Sequence, residues 1–157
     1  MLLHFAPAPT TSPWGGVLLV HSSDHAGLTT AAADVAAALL QLGLDVDLHD
    51  VAGAFEVDPD RHDVVIVGAS LGEAEGREMA SWIAGHRRAL DDRPTALFTV
   101  CPAGWSERMR HEARRGLDAL ATAAAWRPAR ATVIADAFSV DRFADNVAIL
   151  AAAPLAA

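Results

Sequence analysis

The sequence alternates short, wholly apolar runs with longer stretches in which apolar residues recur every three or four positions. Val64-Val65-Ile66-Val67-Gly68 is the clearest of the short runs. A strand with one wet face would alternate apolar and polar residues, so an unbroken run of β-branched residues predicts a strand covered on both faces. Val17-Leu18-Leu19-Val20 and Thr95 to Val100 have the same character, and Ala131 to Ala135 makes a fifth strand. Leu44 to Leu48 instead alternates with acidic residues, as an edge strand would. Between these runs lie helical patterns. One follows a cap at Thr29 or Thr30 and stops at Gly43, and one runs from about Glu78 to Leu90 with Met79, Trp82, Ile83, His86 and Leu90 on a stripe. Two more span Trp105 to Ala125 and Val140 to Leu150. Strands alternating with helices of this length require crossover connections, which predicts an α/β fold: three layers, a five-stranded parallel sheet with helices on both faces. Ligands of such sheets bind beyond the carboxyl ends of the strands. That places the candidate site in three loops, His21 to Leu28, Ala69 to Gly76 and Cys101 to Trp105.

Size and charge narrow the function. With 157 residues the chain suits one domain, expected over 17–157 after a leader of Pro, Thr, Ser and Gly over 1–16. It carries 35 alanines, so packing depends on helices that approach closely. All 12 basic residues are Arg, none of them clustered, and the net charge is −8. Nucleic acid is therefore not an expected partner, because backbone phosphates need a concentrated positive face. No apolar run reaches the length of a membrane span, and no integral membrane segment is expected. The single Cys101 forms no intrachain disulfide, which favours a reducing compartment, the cytoplasm.

The first loop reads His21-Ser22-Ser23-Asp24-His25-Ala26-Gly27-Leu28-Thr29. Helix-start N–H groups, hydroxyls and a glycine form a phosphate cradle, although the Asp24 carboxylate would repel an anion unless it pointed away. An ordinary capped strand-to-helix turn is the alternative reading. His21 and His25 have no third partner that would make a metal site. Cys101, at a strand end, reads either as a small hydrophobe or as a reactive thiol. Glu73, Glu75 and Glu78 suit a helix start, where negative charge meets the positive end of the dipole.

Three segments resemble the flavodoxin-like family, and within it the menaquinone-linked, flavodoxin-type protoporphyrinogen oxidases. They are His62 to Ser70, His86 to Val100 with its Arg93-Pro94 step, and Trp126-Arg127-Pro128 followed by Val133 to Phe138. The resemblance implies strand order 2-1-3-4-5 and an FMN cofactor, with its phosphate in the first loop and its ring between the loops after the third and fourth strands. Carried over, Ser22, Ser23, His25, Ala26, Gly27, Leu28 and Thr29 line the phosphate. Ser70, Leu71, Gly72 and Glu73, with Cys101, Pro102, Ala103, Gly104 and Trp105, flank the ring. The loop is one residue longer than the family's, Asp24 stands where the family has Ser or Thr, and with no Tyr in the chain only Trp105 is available to stack. The implied function is FMN-dependent electron transfer or quinone-linked oxidation, with flavin and a redox partner or quinone as partners. A flavodoxin-like domain without flavin, serving as an interaction module, is the alternative. Ser23-Asp24-His25-Ala26-Gly27 also resembles the first motif of the B-type ribose-5-phosphate isomerases, but the position of that family's Cys is here Val67, which cannot take a proton.

Overall fold

The computed structural model describes residues 16–22, 25–71, 73–101 and 104–152. Apart from Gly16, the expected leader lies outside the described residues, as do Ser23, Asp24, Gly72, Pro102 and Ala103. Five strands, Val17–His21 (β1), Val46–Asp50 (β2), Val64–Gly68 (β3), Thr95–Val100 (β4) and Arg130–Ile134 (β5), pair in parallel in the order β2-β1-β3-β4-β5. The helices are Ala26–Gln41 (α1), Glu73–Gly85 (α2), Arg87–Asp91 (α3), Glu107–Ala123 (α4) and Ala137–Ala152 (α5). This is the three-layer α/β architecture that the alternating pattern predicts.

The apolar strands account for both cores. Successive side chains of a strand point to opposite faces. Val17 and Leu19 of β1, Val64 and Ile66 of β3, and Ala96 and Phe98 of β4 face α1 and α5. Leu18, Val20, Val65, Val67 and Leu97 face the other way, onto Met79, Trp82 and Ile83 of α2, Leu90 of α3 and Leu117 and Leu120 of α4. Every residue of β1 and β3 is buried, whereas β2 and β5 are largely half-exposed, as edge strands are. Small residues bring α1 against α5, with Ala31, Ala32 and Ala144 in the shared core.

Element boundaries differ from the sequence expectation where a side chain caps a helix. His25, rather than Thr29 or Thr30, caps α1, and the helix begins at Ala26. α4 begins at Glu107, not Trp105, because the Ser106 hydroxyl accepts from the Met109 N–H. α5 starts three residues early, at Ala137, through a reciprocal cap. Asp136 Oδ1 accepts the Ser139 N–H at 2.8 Å, and Ser139 Oγ accepts the Asp136 N–H at 2.9 Å. α2 begins at Glu73 rather than Glu78, and the single helix expected to run on to Leu90 breaks at His86 into α2 and α3. The His86 ring lies 4.6 Å from that of Trp82, and its Nδ1 donates to the Trp82 carbonyl. β2 and β5 shift by one or two residues, to Val46–Asp50 and Arg130–Ile134.

Two close fits hold the sheet and helices in register. The Phe98 ring lies over Gly68 of the neighbouring strand, where a Cβ would come within 2.5 Å of Phe98 Cζ, and it meets Phe143 of α5 edge-on at 5.4 Å. α1 and α4 both end in a left-handed residue with the paired return bonds of a Schellman turn. At α1 that residue is Gly43, φ +83°, with Leu44 donating to Leu39; at α4 it is Ala125, φ 49°, with Trp126 donating to Ala121. We predict that Gly68→Ala destabilises the fold by about 1–3 kcal/mol, since the added methyl must displace a buried ring. Ala125→Gly should stabilise it by about 1 kcal/mol by relieving the left-handed strain. Urea denaturation checks both, and equal midpoints for the three proteins would contradict the two contacts.

Candidate functional site

The parallel register brings β1, β3 and β4 to a common line. His21 stands beside Gly68, Gly68 beside Phe98, and Val100 beside Ile134. The loops that follow therefore open on one edge of the sheet. Side chains lock them together there. Ser22 is 1% exposed; its N–H donates to the Gly68 carbonyl at 2.9 Å and its Oγ accepts the Ser70 N–H at 3.2 Å. Thr99 Oγ1 donates to the Ala69 carbonyl at 2.7 Å, and the buried Cys101 donates its N–H to Ile134. As placed, the Ser22 hydroxyl braces the loop after β3 instead of facing the crevice.

At the start of α1, His25 fills the role of cap in two ways. Its carbonyl accepts from the N–H groups of Leu28 and Thr29, both at 3.1 Å, and from the Thr29 hydroxyl at 3.3 Å. Its ring Nδ1 accepts from the Leu28 N–H at 3.2 Å. The N–H groups of Ala26 and Gly27 precede the first helical bond and have no partner within the helix. The imidazole rests on Gly27, where a Cβ would lie 3.0 Å from His25 Cε1.

Two cavities meet at His25. One, of about 590 Å³, lies between the loops after β3 and β4 and the first half of α4; Leu28, Leu71, Val100, Trp105 and Met109 give it apolar walls, and Ser70, Thr99 and Glu112 add polar groups. Leu71 reaches it by crossing α4 at Gly116, where a Cβ would come within 2.7 Å of Leu71 Cδ1. Trp105 precedes the α4 cap and is half-buried, with its side chain in the cavity wall. The other cavity, of about 310 Å³, lies between α1 and α5 and is bordered by Gly27, Thr30, Asp34, Cys101 and Asp136. No arginine lines either cavity among the described residues. A third cavity, of about 800 Å³, is larger than both, but it sits at the far end of α4 among Arg87, Asp118, Trp126 and Arg127, away from the three loops.

Of the residues singled out in the sequence, His25, Leu28, Ser70, Leu71 and Trp105 line one cavity, and Gly27 and Cys101 border the next. Ala26 and Thr29 lie at the exposed helix start, Gly104 is exposed beyond β4, and of Glu73 the structure describes its place as the first residue of α2. Sequence reasoning misses Val100, Met109 and Glu112. Val100 and Met109 look like ordinary strand and helix residues, and no local signal points them at the crevice. His21 is buried and its ring donates to the Ser22 carbonyl. Val67 is fully buried, so the isomerase resemblance finds no proton-accepting group there. No group of three or more His, Cys, Asp or Glu among the described residues is arranged to hold a metal, and no helix among them is long and apolar enough to cross a membrane.

The fold defines a doubly wound α/β domain with a crevice at the carboxyl edge of its sheet. The sequence profile of the flavodoxin domain matches residues 18–144. The chain belongs to the flavodoxin domain family. No curated protein matches it. Among solved structures, it is similar to the flavodoxin of Streptococcus pneumonia TIGR4, with 20% identity over 85% of this chain and 97% of that one and a TM-score of 0.54. It is also similar to the rubredoxin oxygen:oxidoreductase of Desulfovibrio gigas, with 18% identity, 93% and 38% of the two chains and a TM-score of 0.62. A mutant form of the flavo di-iron protein of Thermotoga maritima matches with 18% identity, 87% and 36% coverage and a TM-score of 0.61. The chain thus spans little more than a third of those two larger proteins.

Beside the smaller cavity, Asp136 has its carboxyl pK lowered, first by the Ser139 N–H, then by the Ser139 hydroxyl and the charge of Arg110. A carboxylate lowered by folding stabilises the fold above its unfolded pK and loses that contribution as pH falls through the folded value. Asp136→Ala should therefore melt below wild type at pH 7, with the gap closing as pH drops below about 4. A gap that is constant from pH 7 to pH 3 would contradict the charged cap.

Proposed function

We propose that this domain binds FMN at the carboxyl edge of its sheet and serves in electron transfer. The observation that carries this reading is the 590 Å³ apolar cavity between the loops after β3 and β4, open beside the start of α1, in a chain of the flavodoxin family. A cavity of this size suits a three-ring heterocycle. Leu71, Met109 and Trp105 would cover the ring, and Trp105 would supply the stacking face, because the chain has no Tyr. The N–H groups of Ala26 and Gly27, which have no partner within the helix, would hold the phosphate, with Ser23, Leu28 and Thr29 around it. Ser22 and Thr99 would act indirectly, keeping the two ring loops in place. Gly72, Glu73, Cys101, Pro102, Ala103 and Gly104 complete the loops on either side.

Bound there, the flavin would accept and release the electrons, while the chain binds, orients and shields it. Glu112 in the wall of the larger cavity and Asp34 and Asp136 in that of the smaller place negative charge around the site, and no arginine is among the described lining residues. Such a field disfavours adding an electron, so it sets a low reduction potential. The net charge of −8 favours a basic or neutral redox partner. The single cysteine supports a cytoplasmic setting. The three sequence segments that resemble the menaquinone-linked protoporphyrinogen oxidases support a narrower reading, oxidation of a porphyrinogen coupled to a quinone.

Titrating the apo protein with FMN while following flavin fluorescence tests the reading. Saturable quenching and a rise in melting temperature are expected, and Trp105→Ala should weaken binding roughly 2- to 10-fold. Absence of both quenching and thermal shift at high FMN would leave the domain as an interaction module without flavin.

A further inference from the structure

Trp82 and Trp126 are both buried in the core beside α2 and α4, but their indole nitrogens are treated differently. Trp82 donates its Nε1–H to the Ala54 carbonyl at 3.0 Å. Trp126 Nε1 is the buried side-chain nitrogen that has no hydrogen-bond partner among the described residues. A buried indole N–H ordinarily finds an acceptor, because leaving water without a replacement costs free energy. Trp126 lines the cavity of about 800 Å³ at the far end of α4, a volume in the range of small-molecule sites. The backbone holds it there: Ala125, left-handed, turns the chain out of α4, the Trp126 N–H returns to the Ala121 carbonyl at 2.9 Å, and the Ala129 N–H donates to Thr95 at 2.8 Å. Leu97 of β4, Leu117 and Ala121 of α4 and Ala131 of β5 give the cavity an apolar lining. Unlike the two cavities at the carboxyl edge, it gathers arginines, Arg87 and Arg127. Arg87 lies 3.7 Å from the Asp91 carboxylate, whereas the exposed Arg127 forms no ion pair among the described residues.

We propose that this cavity is a second binding site, separate from the carboxyl edge, for a small carboxylate with an aromatic body. The body covers Leu97, Leu117 and Ala131, and the carboxylate accepts from Trp126 Nε1 and from the Arg127 guanidinium, with Arg87 adding charge from the other wall. An anion that accepts from an arginine and a second donor gains a charge-assisted hydrogen bond, which a neutral molecule of the same shape does not. Asp118 also borders the cavity and would repel an anion placed beside it. It stands seven residues before Ala125, about 10 Å along the helix, so the ligand's charge belongs at the Trp126 end. At that end the carbonyls of Leu120, Ala121 and Thr122 already accept the N–H groups of Ala124, Trp126 and Ala125, which blunts the negative end of the helix. Nε1 is covered as the ring stands, so binding includes a turn of the indole toward the cavity that it lines.

The test adds naphthylacetate, or its neutral amide, to the isotopically labelled full chain and follows the indole N–H resonances. The chain has four Trp, and the Trp126 resonance is identified by its loss in Trp126→Phe or by correlation to its own backbone. Naphthylacetate should move that resonance downfield and saturably, while the Trp105 resonance, at the other end of α4, stays in place. The amide should bind about 3- to 10-fold more weakly, the range for one charge-assisted hydrogen bond at a solvent-facing rim. Arg127→Gln, an exposed substitution that leaves the core intact, should bring naphthylacetate down to the level of the amide. A Trp126 resonance that does not move at millimolar naphthylacetate means that water alone fills the cavity, and it overturns the proposal. Equal binding of acid and amide, or a naphthylacetate affinity that Arg127→Gln leaves unchanged, overturns it as well. Movement of the Trp105 resonance instead would place the probe in the cavity at the carboxyl edge and contradict the proposal without touching the flavin reading.

Discussion

The parallel pairing of Val17–His21, Val64–Gly68 and Thr95–Val100 governs the rest of the molecule. These three strands are buried on both faces, so their register is fixed by two cores at once: a slip of one residue would exchange the Val17 and Leu18 sets between α1–α5 and α2–α4. Phe98 tightens the constraint, since its ring fits the neighbouring strand only at Gly68. With the register fixed, Ser22, Ala69 and Cys101 emerge side by side, and hydrogen bonds from the Ser70 N–H to Ser22 Oγ and from Thr99 Oγ1 to the Ala69 carbonyl tie their loops together. The crevice is thus a consequence of sheet packing, and its walls are braced by Ser22 from behind and by Thr99 from within the lining.

Much of this was legible in the sequence. The β-branched run Val64 to Val67 and its relatives marked the central strands, and the acidic alternation of Leu44 to Leu48 marked an edge. Helix boundaries were harder to read. Histidine is a rare helix cap, so propensity points to Thr29 or Thr30, whereas His25 caps α1. Asp136 and Ser139, by contrast, carry a recognisable capping spacing that would have moved α5 forward to Ala137. The break at His86, whose backbone leaves the helical region, has no counterpart in the apolar periodicity, which runs on through Trp82, His86 and Leu90.

The candidate site was legible as loops and much less so as side chains. Trp105, Leu71 and Ser70 converge on a single cavity, in keeping with the loop assignment. Ser22 looked like a phosphate ligand because hydroxyls in a first loop suit that role, yet its burial and its bond to Ser70 give it a bracing role. Met109 and Val100 entered the wall through tertiary packing alone. The absence of Tyr acquires its meaning only from this geometry: one aromatic side chain, that of Trp105, stands at the ring cavity among its described lining residues, and the neighbouring carboxylates set the electrostatic tone.

The central claim is that the carboxyl edge, from the start of α1 to the first turn of α4, is a flavin nucleotide site. Amide chemical shifts of the labelled protein on addition of FMN test it most directly. The account predicts saturable shifts concentrated at Ala26 to Thr29, Ser70, Leu71, Gly104 and Trp105. Shifts that cluster instead at Arg87, Trp126 and Arg127, around the larger cavity at the other end of α4, would contradict it.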